Sequence, residues 1–165
     1  MRLTEAHVDS LRNFLRANLG AGIDQMNATV TDGLLLVKPK AENIVHGGAT
    51  ILEYPSIEIA VPDFELHDMS VENVEMDMTA NIVIRGWLEL ADLTPQAPEK
   101  IYRLAQRMAQ VILALILPAG NNAFADQTII TRVRGSFRLN PETQQKEEYV
   151  SGFILICTLE TVDAA

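Results

Sequence analysis

Cysteine is almost absent from this chain. Its 165 residues include only Cys157, so no disulfide can form within it, which fits a reducing compartment. Cys157 sits in the apolar run Phe153-Ile154-Leu155-Ile156-Cys157 with no base signature nearby, and reads as a buried, inert thiol. Aromatic residues make up only 5% of the sequence, which leaves the core to Leu, Ile, Val, Ala and Met. Long apolar runs are missing too: the longest, Val111 to Leu117, is far short of the roughly 20 residues of a membrane helix. The opening Met1-Arg2-Leu3-Thr4-Glu5 leads into an amphipathic stretch, which predicts no secretory leader. A soluble protein made in the cytoplasm, without membrane contact, is the expectation.

Positive charge is missing from one long segment. Between Lys40 and Arg85 there is no Lys or Arg, while Glu42, Glu53, Glu58, Asp63, Glu65, Asp68, Glu72, Glu75 and Asp77 all fall there. These acids account for the whole net charge of −9. Such a segment repels phosphate and is no nucleic-acid grip. It is either a solvated surface that keeps the protein soluble or an acidic face offered to a basic partner or neighbouring subunit.

What is present is enough apolar sequence, 48%, to build one core in a chain of single-domain length. Thr4 is a good N-cap, and Val8, Leu11, Leu15 and Leu19 make one stripe, so a helix is expected over 5–19, stopped by Gly20 and Gly22. Asp32-Gly33 between residues 28–31 and 34–37 predicts a hairpin, with 40–53 as a loop. Alternation from Tyr54 to Val61 predicts a strand ended by Pro62. A long strand follows from Val71 to Leu90, with a bulge at Arg85-Gly86-Trp87. Thr94-Pro95 opens a second helix whose apolar face includes Ile101, Leu104, Ala105, Met108, Val111, Ile112 and Leu115. Its end, apolar nearly all round, is expected to be buried, and Pro118 to Asn122 closes it. Two strands, Gln127 to Leu139 and Tyr149 to Thr161, finish the chain around a polar, mobile tip at 140–147. The order predicts a single α+β domain over residues 1–165, a mostly antiparallel sheet with two main helices packed on it.

No constellation for catalysis stands out. His7, His46 and His67 have no metal-ligand spacing, although His67-Asp68 is the least implausible fragment. His46-Gly47-Gly48 lacks the Gly-x-Ser-x-Gly partner that an oxyanion loop would need, and reads as a turn. No phosphate-binding loop appears, and carboxylates that merely lie close do not make an acid–base pair. No catalytic, cofactor or metal residue is assigned.

Arg132, Arg134 and Arg138 are different. Strand alternation puts them on one face, with Val133, Phe137 and Leu139 on the other. They are either a solvated polar face or a bidentate grip for phosphate or carboxylate. The sharper expectation sets them against Asp63, Glu65, Asp68, Glu72, Glu75 and Asp77 of a neighbouring copy, fixing register in a ring.

Three stretches carry a resemblance to a known family. They are Tyr54-Pro55-Ser56-Ile57-Glu58-Ile59; Thr79 to Leu90 running into Thr94-Pro95 with Ile101-Tyr102-Arg103; and Arg132-Val133-Arg134 through Asn140-Pro141-Glu142-Thr143 to Ser151-Gly152-Phe153. In the order and character of these elements the chain resembles bacteriophage tail terminator and neck proteins of the head–tail junction. The acidic segment has no counterpart in that pattern. The resemblance implies a structural virion protein and no enzyme, a homohexameric ring that contacts tail-tube and neck or connector proteins. It implies assembly in the host cytoplasm, no cofactor, and DNA passing through the lumen without specific binding. A head-completion or connector subunit of the same junction is the nearest alternative, and a small-ligand-binding α+β module or an enzyme with a pocket behind the sheet is one of another class.

Overall fold

The stripe of the first helix does not end at Gly20. In the computed structural model, which describes residues 5–51, 53–67, 77–90, 94–119, 123–124, 128–137, 142–144 and 148–161, α1 runs Glu5–Thr29. Ile23 extends the buried row of Val8, Leu11, Leu15 and Leu19 by one more turn. Gly22 lies where the second helix crosses: a Cβ there would stand 2.9 Å from Val111 Cγ1 and 3.2 Å from Leu115 Cδ1. A glycine inside a helix costs roughly 1 kcal/mol, and here it secures close approach of two helices rather than a stop.

The hairpin expected around Asp32-Gly33 does not form. Ala28 and Thr29 belong to α1, and residues 34–40 run on without pairing to a strand. Side chains take the place of a ladder. The Asn27 amide donates to Leu36 O at 2.9 Å and accepts from Leu36 N at 2.8 Å. Asp32 Oδ1 accepts from Leu34 N at 3.0 Å, and Arg107 grips both the Asp32 carboxylate and Leu34 O. Gly33 still supplies the positive φ, 72°, that the turn needs.

Arg107 above all, then the Leu34 amide, holds the Asp32 carboxyl down at about 2, below the ordinary 3.8. A depressed carboxyl stabilises the fold above its unfolded value, and that contribution is lost as pH falls from 3.8 towards 2. Thermal melts of the parent protein and Asp32→Asn are therefore expected to differ at neutral pH and to converge through that window. A gap that persists unchanged below pH 2 would show that the charge is not what matters.

The 40–53 stretch is more than a loop. A 3-10 turn, Ala41–Asn43, leads into β1, Ile44–His46, which lies parallel to β2, Ser56–His67. Pro62 does not end β2. The ladder from β2 to β3, Asp77–Leu90, slips between Ala60 and Asp63, so Val61 and Pro62 form a bulge. His46-Gly47-Gly48 is a turn, as expected, with Gly48 at φ 88°.

In β3 the predicted face holds: Met78, Ala80, Ile82 and Ile84 are buried. The predicted bulge at Gly86 does not exist, because the register with the last strand runs unbroken from Thr79 to Leu90. Residues 71–76, Met76 included, lie outside the described residues.

The second helix, α2, spans Ala97–Ala119, two residues later than expected from Pro95, with Thr94 O accepting from Ala97 N at 3.0 Å. Its end is not wholly buried: Val111, Ile112 and Ile116 face the core, but Leu117 is 52% exposed. The remaining strands are β4, Thr128–Phe137, β5, Glu142–Gln144, and β6, Glu148–Thr161. Within the predicted tip, β5 pairs with the start of β6, and residues 140–141 and 145–147 lie outside the described residues. The sheet order is β1-β2-β3-β6-β4, antiparallel except for β1 with β2, and both helices pack on one face. The fold is α+β. No helix among the described residues is long and apolar enough to cross a membrane.

Candidate functional site

With both helices on one face, the other face of the sheet carries, among the described residues, only the strands' own side chains. The ladders align them in rows across β2, β3, β6 and β4. One row reads Glu58, Arg85, Ile154, Ser136; the next Ala60, Val83, Ile156, Arg134; the next Asp63, Asn81, Thr158, Arg132. Acid therefore stands at the β2 edge and base at the β4 edge.

The third row is ordered by hydrogen bonds. Asn81 Nδ2 donates to Asp63 Oδ1 at 2.7 Å, and Thr158 Oγ1 donates to Asn81 Oδ1 at 2.9 Å. Arg132 and Arg134 are exposed and have no ion-pair partner among the described residues. Three strand spacings separate Asp63 from Arg132, about 14 Å, too far for a bond within one copy.

The structure thus brings some of the predicted interface residues together and not others. Arg132, Arg134, Asp63 and Glu65 share the open face, Glu65 opposite Thr79. Arg138, Asp68, Glu72 and Glu75 lie outside the described residues, and Asp77 contributes only the first backbone position of β3. The acidic segment is not one uniform surface. Glu53 pairs with Lys40 at 2.7 Å, an interaction that lowers the Glu53 carboxyl and raises the lysine, and Glu58 lies 3.5 Å from Arg85.

Two concavities flank this face, and neither has a sequence motif. On the open side a cavity of about 330 Å³ is lined by Arg85, Trp87, Ser136, Gly152, Phe153 and Ile154. Trp87 lines it, and the buried Trp87 Nε1 has no hydrogen-bond partner among the described residues. Behind β4, on the helix side, a groove of about 700 Å³ runs between Leu113 and Leu117 of α2 and Val133, Gly135 and Phe137 of β4. Tyr102 packs edge-on against Phe137 at its side, with ring centroids 5.8 Å apart. Both depend on cross-strand neighbours that a linear reading does not pair.

The chemical candidates take ordinary places. Cys157 is buried in β6, and desolvation pushes its thiol up to about 11, so the free thiol stays protonated at neutral pH. His7 is buried in α1 and His46 is exposed on its turn. Among the described residues no group of three His, Cys, Asp or Glu is placed to hold a metal ion. No protein-family model matches the chain, and no curated protein matches it.

Proposed function

We propose that this chain is a structural subunit that closes a ring at the head–tail junction of a tailed bacteriophage, where it caps the tail tube as a tail terminator. The observation that favours it is the polarity of the open face, with acid towards the β2 side and, on the β4 edge, arginines that have no ion-pair partner among the described residues. A surface of that kind is complementary to a copy of itself placed beside it, head to tail. Such contacts make rings when the rotation closes. The phage setting comes from the resemblance of the strand and helix order. The action is geometric rather than catalytic: a closed ring ends growth of the tube, meets neck or connector proteins on its far side, and leaves a lumen for DNA.

Native mass spectrometry over a concentration series, with and without purified tail tubes, tests this. A closed oligomer near six copies, free or on the tube, is the expected result. A strict monomer that ignores tubes would remove the reading. A head-completion subunit of the same junction would oligomerise but leave tubes uncapped.

The cavity beside Trp87 favours a second reading, a small-ligand-binding module. Its indole N–H and the Arg85 guanidinium would receive a planar anion.

A further inference from the structure

We infer that copies of this chain join edge to edge, β4 of one against the 63–67 end of β2 of the next, with Asp63 of one copy facing Arg132 of its neighbour. The inference deepens the ring reading and rests on it. Strand direction comes first. Each step from β2 to β3, β6 and β4 is antiparallel, so β2 and β4 run in opposite senses. A copy set alongside in the same orientation therefore offers an antiparallel strand, the pairing that sheets favour. Among the described residues β1 covers β2 only at residues 57–59, and no strand covers the outer edge of β4.

Height is the second observation. Asp63, Asn81, Thr158 and Arg132 occupy one row, so a rotation about an axis along the strands carries Asp63 to the level of the neighbour's Arg132. The acid is already aimed, because Asn81, itself held by Thr158, donates to one carboxylate oxygen from the β3 side. A carboxylate held by one oxygen still offers the other to a guanidinium.

The bulge supplies the third. Ala60 points to the open face, and without the extra residue Asp63 and Glu65 would turn to the helix side. With it they join the open face, and Phe64 points to the helix side, opposite Ala80. Phe64 is 51% exposed there, an aromatic only half covered. Across the proposed junction it lies diagonally from Val133, at the end of the apolar groove behind β4, within reach of an aromatic ring. The junction thus matches charge on one face and apolar surface on the other.

A charge-exchange experiment decides the matter. Sedimentation velocity and native mass spectrometry would compare the parent protein, Asp63→Arg, Arg132→Asp and an equimolar mixture of the two variants, with circular dichroism melts to establish that each variant folds. Each variant alone places like charges at every junction and is expected to associate at least about tenfold more weakly than the parent. The mixture is expected to recover, because alternating copies restore an opposite pair at each contact, and only even-numbered rings can then close. A parent that forms rings while either folded variant does so equally well would overturn this contact and leave the ring reading intact. A mixture that fails to recover would also overturn it. A parent that stays monomeric at every concentration and on tail tubes would overturn both.

Discussion

Gly152→Ala is expected to disrupt the centre of the sheet, at a cost of about 3 kcal/mol or more. A Cβ at this position would lie 2.0 Å from Gly86 O, 3.2 Å from Gly86 C and 3.5 Å from Trp87 Cα. All three are backbone atoms of β3, so no rotamer change relieves the clash. Either the two strands separate, with loss of ladder bonds around the Trp87–Gly152 pair, or β6 is displaced bodily. Gly86 is closed in as well, since a Cβ there would meet the Phe153 ring at 2.2 Å. Gly135→Ala in β4 is the control. Its Cβ would press only on the tip of Leu155, Cδ2 at 3.1 Å, which can shift, with Ile154 O in ordinary contact at 3.7 Å. Replacing a strand glycine also recovers roughly 0.5–1 kcal/mol of backbone entropy, so near-neutrality is expected there. Urea midpoints of the two variants separate the cases, and a Gly152→Ala protein within about 0.5 kcal/mol of its parent would contradict the geometry.

Phe124→Ala is the second large effect, about 4 kcal/mol, in the range for truncating a buried phenylalanine. Phe124 belongs to no helix or strand, yet it is 2% exposed and joins the core together with the fully buried Ala123. It is the bulkiest of the fully buried side chains among the described residues, in a chain with few aromatics. In a domain of this size the loss corresponds to a fall in melting temperature of about 10 °C, readable by circular dichroism. Phe124→Leu keeps most of the volume and should lose about 1 kcal/mol. If the alanine variant melted within about 2 °C of the parent, the ring would not be packed as the structure has it.

The sequence was legible where one periodicity dominated. The row Met78, Ala80, Ile82, Ile84 and the α2 stripe from Ile101 to Ile112 were visible because strand and helix periods sort apolar residues without help from distant parts of the chain. Asp32-Gly33 misled because its flanks are satisfied by Asn27 and Arg107, the latter from another helix, and no local rule sees that. Gly20 and Gly22 misled for a related reason, since a glycine that stops a helix and one that admits a neighbouring helix look alike in one dimension. Pro62 looks like a terminator in one dimension, whereas a bulge on an outer edge accommodates a residue without an N–H.

The candidate surface was half visible. Alternation placed Arg132 and Arg134 together, and the lack of Lys and Arg between Lys40 and Arg85 marked the acids. That the two groups share one face at opposite edges depends on strand order and on the bulge after Ala60, neither of which follows from spacing.

The bond from Thr158 to Asn81 joins residues 77 apart in the chain. Strand β6 lies between β3 and β4, yet it is synthesised after both. A growing chain therefore holds β2 and β3 as a local pair, while the inner edge of β3 and all of β4 wait for a partner. Folding of the sheet is bound to be late and dominated by distant contacts, the regime in which rates are slow. Until β6 arrives, the edges of β3 and β4 that it will join stay without their ladder.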